Sequence, residues 1–281
     1  MLPLLTVLVL ALMGAFIGEN QVLCDLEEIP LTMAPDSYDD QYIGCPSTME
    51  NKLMDPTTDG FKAKYDFIWK NATNYWNKIQ GSLQLPNGFK DEYGIALVAY
   101  SACSKLYLDF NTAVREGGKS NTNYENSFHF KSFHFLLTKA VQALKTSKPD
   151  CYTVYRGIKN KRFTVPDENK PVRFGQFSSS SLSEKVARDI GEDTLFRIYT
   201  CLGVQISDFS YFPHQQEILI PPYETFMFIE GQNNDKSQIK LSSYYSKSSY
   251  FNCQSKKGKK PTLTHKSDQV TLAPFLMPGS R

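Results

Sequence analysis

The sequence of 281 residues predicts an α+β protein, mainly helical in its N-terminal part and strand-rich in its C-terminal part. Between about residues 47 and 147, apolar side chains recur at helical spacing. From Cys151 onward the period shortens to brief runs rich in aromatic and β-branched residues, separated by turn residues. No internal repeat and no Pro/Gly/Ser-rich linker divides the halves, so residues 19–253 are expected to form one domain.

The elements follow in order. Met1 to Gly18 is apolar, with no charge before Glu19, and reads as a secretory signal peptide cleaved between positions 15 and 24. As a membrane anchor, the alternative, it is marginally short. Ile68, Ala72, Tyr75, Trp76 and Ile79 predict one helix face. Asp91 is placed to cap a helix through Ile95, Val98 and Ala99. A further helix carrying Phe110, Ala113 and Val114 should stop at Gly117 and Gly118. Phe133, Leu137, Val141 and Leu144 form another core face. Strands are expected at Tyr152–Gly157, Val172–Ser178, Thr194–Cys201, Glu217–Ile220, Thr225–Ile229 and Ser249–Cys253.

Composition narrows the function. A net charge of +2 gives no reason to expect nucleic acid as a partner. Six cysteines in an exported chain imply disulfides, whose pairing the sequence leaves open. With four histidines and no CxxC, no metal site is expected. His129 and His134 sit in an aromatic run and read as packing or hydrogen-bonding residues, not as ligands or bases. Asn71, followed by Ala72 and Thr73, is an N-glycosylation sequon on a helix. The stretch after Cys253, residues 254–281, is basic and reads as a disordered extension; its end lacks the apolar run of a lipid-anchor signal.

Three polar constellations carry chemistry. Arg156 ends a strand and is followed by Gly157, an arrangement able to grip phosphates while the backbone approaches a planar ligand closely. Phe174 to Leu182 encloses four serines, which read either as a polar turn after a strand or as hydroxyls holding a substrate. Gln215 and Glu217 precede an apolar run closed by Pro221 and Pro222. In an extended chain they project to the same side, about 7 Å apart.

The order of these three groups resembles the vertebrate ecto-mono-ADP-ribosyltransferase family, of the arginine–serine–glutamate class. Further matches are Met33–Tyr42 with Gly44-Cys45, Gly94–Tyr100, Phe128–Leu137, Thr200–Gly203 and Tyr250–Cys253. The resemblance implies a β-sandwich-like NAD-binding core with the helices packed alongside. It implies NAD as a consumed substrate, with no prosthetic group, and an extracellular protein acceptor. Arg156 would engage the NAD phosphates and ribose, Ser179 would order the glutamate, and Glu217 would be catalytic. Tyr100, Gly157, Gln176 and Ser210 fall where family members contact NAD. Disulfides Cys45–Cys253 and Cys151–Cys201 are implied as well. The first closes a loop long enough to stabilise by about 4–5 kcal/mol. Cys24 would be lost with or lie beside the signal peptide, and Cys103 would be a buried thiol.

One position departs from the arginine-specific pattern, Glu-x-Glu: the first glutamate is Gln215. An amide cannot take a proton at neutral pH, so arginine transfer should be weak. NAD glycohydrolase activity should survive, and a different acceptor side chain stays open, as in Gln-x-Glu bacterial toxins. The competing classes are a catalytically silent secreted binding protein, which would need none of Arg156, Ser179 and Glu217, and a serine hydrolase, for which no nucleophile-elbow sequence surrounds the serines.

Overall fold

Apolar residues spaced three and four apart fold the N-terminal half into helices, and the computed structural model shows which faces they bury. It describes residues 26–45, 47–56, 59–102, 105–147, 150–165, 170–229, 238–247 and 249–253. The leader, Cys24, Cys103 and the basic extension lie outside the described residues. The helices are α1 (Ser47–Leu53), α2 (Phe61–Ile79), α3 (Asp91–Ser101), α4 (Lys105–Glu116), α5 (Asn121–Ser127) and α6 (Lys131–Ser147).

Ala72 and Trp76 are buried on α2, and Ile68, Tyr75 and Ile79 pack beside them. Phe133, Leu137 and Val141 are fully buried on α6. Helix α4 ends at Glu116, directly before Gly117. Asp91 does not cap α3. Lys90 occupies the cap position, and the Asp91 carboxylate accepts a bond from the Trp76 indole at 3.1 Å. That indole belongs to a fully buried ring and needs an acceptor. The same ring lies 2.4 Å from where a Cβ on Gly94 would stand, so α2 and α3 touch there only because residue 94 is glycine. His134 packs as expected. It is buried, bonded to the Tyr42 hydroxyl at 2.9 Å and the Tyr38 carbonyl at 3.1 Å, and burial lowers its pKa to about 3.

The C-terminal half contributes β2 (Tyr152–Ile158), β3 (Lys161–Thr164), β4 (Ser178–Ser181), helix α7 (Glu184–Ile190), β5 (Thr194–Thr200), β6 (Val204–Gln205), β7 (Glu217–Ile220), β8 (Glu224–Phe228) and β9 (Gln238–Lys247). Seven strands form one mixed sheet in the order β6-β7-β4-β2-β5-β9-β8, parallel only between β5 and β9. An early strand, β1 (Glu27–Pro30), pairs in parallel with β3 as a separate two-stranded sheet. Strand β7 shows how the layers join. Leu219 belongs to the aromatic core of the helices, whereas Ile218 and Ile220 belong to an aliphatic core under the sheet.

Two expected strands are corrected. Residues 172–177 make only isolated bridges, at Val172 and Arg173, and the strand is the serine run itself, beginning at Ser178. Residues 249–253 form no ladder, because their main-chain donors go elsewhere: Asp39 accepts from the Tyr250 and Phe251 amides at 2.9 and 3.0 Å. Asp39 also pairs with buried Arg173, whose guanidinium lies 4.8 Å from the Tyr250 ring centre. Beside this clasp Cys45 is bonded to Cys253, and Cys151 is bonded to Cys201 where β2 begins and β5 ends.

Candidate active site

Strands β2 and β4 register at a single pair, Tyr155 opposite Ser181. Beyond it, toward Arg156 on one strand and Ser180 on the other, the ladder is not continued, and a cleft of about 640 Å³ opens between them. Arg156 and Gly157 line one lip, and Ser179, Ser180 and Ser181 the other. The Arg156 guanidinium crosses the gap and donates to the Ser179 carbonyl, a group left over from the unfinished ladder.

Helix α7 covers β2 at this point. A Cβ on Gly157 would stand 1.9 Å from the Ala187 carbonyl oxygen and 2.4 Å from that of Gly191. The glycine is therefore required by the protein's own helix packing, a reason separate from any planar ligand. Ala187 and the exposed Ile190 of α7 form the wall above. Lys105, Tyr107 and Leu108 of α4 form the opposite wall.

Gln215 and Glu217 both line the cleft, but not as neighbours on a strand. Residues Pro213–Gln215 form a 3-10 turn, and Gln216 follows with φ of 48°. Strand β7 starts only at Glu217. Proline at the first position favours the turn, and the left-handed residue breaks the alternation assumed for an extended chain. The turn is held by main-chain bonds, Gln215 N to Phe212 O at 3.0 Å and Gln216 N to Pro213 O at 3.1 Å. The Ser181 hydroxyl adds a bond to the Gln215 carbonyl at 2.7 Å.

Glu217 lies directly opposite Ser181 in the ladder and is 8% exposed. Burial pushes its carboxyl above the ordinary carboxylate range, and the Ser179 side chain and the Arg156 charge pull it back in part. Tyr100, on α3, is buried at the floor. Its hydroxyl donates to the Phe177 carbonyl at 3.0 Å and accepts from Asn111 of α4 at 3.1 Å. Burial raises its phenol far above the usual value, so it stays protonated.

The structure thus brings Tyr100, Arg156, Gly157, Ser179, Gln215 and Glu217 to one cleft. Gln176 and Ser210 do not line it. Gln176 is engaged by the Arg115 guanidinium, and the buried Ser210 hydroxyl accepts from the Phe212 amide at 3.0 Å. Among the described residues, no group of three or more His, Cys, Asp or Glu side chains is placed to hold a metal ion.

Residues 31–249 match the family described as ART, NAD:arginine ADP-ribosyltransferase. The chain belongs to this family. It is 45% identical over 229 residues to NAD(P)(+)--arginine ADP-ribosyltransferase 2 of Gallus gallus, covering 80% of this chain and 72% of that protein. It is 43% identical over 245 residues to GPI-linked NAD(P)(+)--arginine ADP-ribosyltransferase 1 of Mus musculus, covering 83% and 75%. A solved structure of a mutant of the eukaryotic mono-ADP-ribosyltransferase ART2.2 in complex with NAD superposes with a TM-score of 0.71 at 43% identity, over 80% of this chain and 98% of that one. In this ART chain the walls from α4 and α7 escaped the sequence reading. Leu108 and Ile190 sit on ordinary helices, and no local pattern marks them as facing a cleft.

Asn71 lies on α2 with its side chain exposed, and the Thr73 hydroxyl of the sequon donates to the Trp69 carbonyl at 2.9 Å.

Proposed function

We propose that this chain splits NAD at the nicotinamide–ribose bond and passes the ADP-ribosyl group mainly to water, with weak transfer to arginine. The observation that carries this is the joint placement of Gln215 and Glu217 at one cleft. As the C1′–N bond breaks, its electron pair leaves with nicotinamide and positive charge develops on the ribose. Glu217, as carboxylate, hydrogen-bonds a ribose hydroxyl and stabilises that charge. Ser179 orients the carboxylate, Arg156 holds the pyrophosphate, and Gly157 and Tyr100 contact the ligand. The acceptor's lone pair then attacks C1′ and releases a proton. Water manages this unaided by residue 215, but a guanidinium must lose a proton first, and the Gln215 amide cannot accept it. The intact cleft argues against a silent binding protein, which would have no need of it.

Disulfides Cys45–Cys253 and Cys151–Cys201 suit an oxidising compartment, and the murine relative is named as GPI-linked. We infer that the chain works outside the cell on an extracellular protein or on NAD alone.

The test is turnover of labelled NAD with and without a small guanidino acceptor. Wild type should release mostly free ADP-ribose. The Gln215→Glu variant keeps the turn, which its main chain holds, and should raise guanidino transfer by about 10²-fold, the lower end of general-base effects. Efficient transfer by wild type would sink the argument from Gln215.

A further inference from the structure

The charged side chains lining the cleft are mostly cations: Arg156, Lys105 from α4 and Lys159 just past β2, against the single carboxylate of Glu217. Arg156 bonds the Ser179 carbonyl and is assigned to the pyrophosphate. Lys105 and Lys159 are exposed, and among the described residues neither pairs with a carboxylate. Asp109, one helical turn beyond Lys105, is bonded instead by Lys64 at 2.9 Å and by the Tyr65 hydroxyl at 2.6 Å. Asp193 accepts from the Asn160 amide, next to Lys159, at 2.8 Å. We propose that the protein acceptor of this chain is a carboxylate, the side chain of a glutamate or aspartate, joined to ADP-ribose as an ester. The proposal deepens the reading that this cleft splits NAD at Glu217, and rests on it.

Charge and proton balance both select that acceptor. Bound NAD carries one net negative charge, from two phosphates and a cationic nicotinamide ring, so the loaded cleft stays positive. Such a field draws an anion in and repels an arginine side chain. The opposing charge, on Glu217, is matched by the cation that develops on the ribose. A guanidinium, with a pKa above about 12, must also shed a proton before it attacks, and Gln215 gives it no base. A carboxylate is already ionised at neutral pH. One of its oxygen lone pairs forms the bond to C1′ as the C1′–N bond breaks. The electron pair of that bond leaves with nicotinamide, which departs neutral, and no proton moves. The Gln215 amide suits this nucleophile, because its NH2 can donate to a carboxylate where a glutamate would repel one. Water takes over when no such side chain is docked.

The experiment uses synthetic peptides, alike in a Gly/Ser background except for a central Glu, Gln, Arg or Ser. Each is incubated with the full-length protein and labelled NAD. Nicotinamide release, free ADP-ribose and peptide-bound label are measured in the same samples. The Glu peptide should carry at least about tenfold more label than the Arg peptide, which lacks its base. Hydroxylamine should convert that adduct to a peptide hydroxamate, which an acyl ester yields and an arginine adduct does not. Gln215→Glu should reverse the preference between these two peptides. Lys105→Glu combined with Lys159→Glu should lower label on the Glu peptide, relative to free ADP-ribose, by about fivefold, and salt at about 0.5 M should act in the same direction. If the charge reversal unfolds the protein in a thermal melt, Lys105→Ala with Lys159→Ala should lower the same ratio by about twofold. Label on the Gln, Ser or Arg peptide at or above that on the Glu peptide overturns the proposal. Nicotinamide release with no peptide labelled does so too, and in both cases NAD cleavage still stands. A preference for Glu that neither the lysine variants nor salt can move would overturn the part given to the two ammonium groups. Without nicotinamide release, the reading beneath the proposal falls and takes the proposal with it.

Discussion

Glu217 and Glu224 open consecutive strands of the same sheet, and both are buried, yet their surroundings differ in kind. Glu224 is 1% exposed and accepts from the Thr200 and Ser243 hydroxyls and from the Cys201 and Leu202 amides. Four donors hold that carboxylate, three of them at one oxygen, next to the Cys151–Cys201 bridge. Glu217 instead lines the cleft, where Ser179 and the Arg156 charge draw its carboxyl down against the effect of burial. Burial alone does not distinguish a fixed carboxylate from one with work to do. The number of donors already committed does.

Replacing each glutamate by glutamine tests the contrast. The largest expected effect is on turnover: Glu217→Gln should cut NAD cleavage by about 10²–10³-fold, measured as nicotinamide release, while the protein stays folded. Cleavage near the wild-type rate would remove Glu217 from the reaction. Glu224→Gln should do the reverse. An amide places its NH2 among donors that have lost their acceptor, and urea unfolding should show a loss of about 2–3 kcal/mol. NAD cleavage per folded molecule should persist. If Glu224→Gln abolished cleavage without loss of stability, the division between the two carboxylates would fail.

The smallest effect is in pH dependence. Burial raises the Glu217 carboxyl above its ordinary value of 4.5, against the pull of Ser179 and Arg156. A group whose folded pKa is raised contributes stability below its unfolded pKa and loses it as pH climbs through the folded value. Relative to wild type, Glu217→Gln should therefore gain stability as pH rises from about 4.5 through that window. Wild-type NAD cleavage should rise over the same window as the carboxylate forms. A stability difference independent of pH would mean that burial leaves Glu217 unshifted.

Much of the frame was legible because local pattern and tertiary packing agree there. Strand β7 begins and ends where the apolar run does, at Glu217 and Ile220, and β2 extends the expected strand by one residue, to Ile158. The serine run was harder. Serine has little intrinsic preference for strands, and Ser178–Ser181 is extended because β7 pairs along its whole length. Strand β9 escaped for a related reason: the serines and lysines within Gln238–Lys247 blur any alternation, and pairing with β5 and β8 fixes it. At the site, Tyr100, Arg156, Gly157, Ser179, Gln215 and Glu217 could be named from motif, but the geometry could not. Gln216 adopts a left-handed conformation that glutamine does not advertise, so the expected Gln215/Glu217 strand pair became a turn and a strand. Gln176 and Ser210 show the converse, since their side chains are engaged by Arg115 and by the Phe212 amide instead of facing the cleft.

The bond between Cys45 and Cys253 has a mechanical consequence. Once the non-covalent contacts of residues 27–44 have given way, tension drawn through the chain from outside these two residues passes across the bridge, and the residues between the two cysteines carry none of it. Strand β1 lies outside that closed circuit, on the N-terminal side. A pull from that end would first peel Glu27–Pro30 from β3 and then work through residues 31–44, including the Asp39 clasp, before meeting covalent resistance. From that point on the sheet that carries Glu217, and the cleft with it, would be shielded from the force.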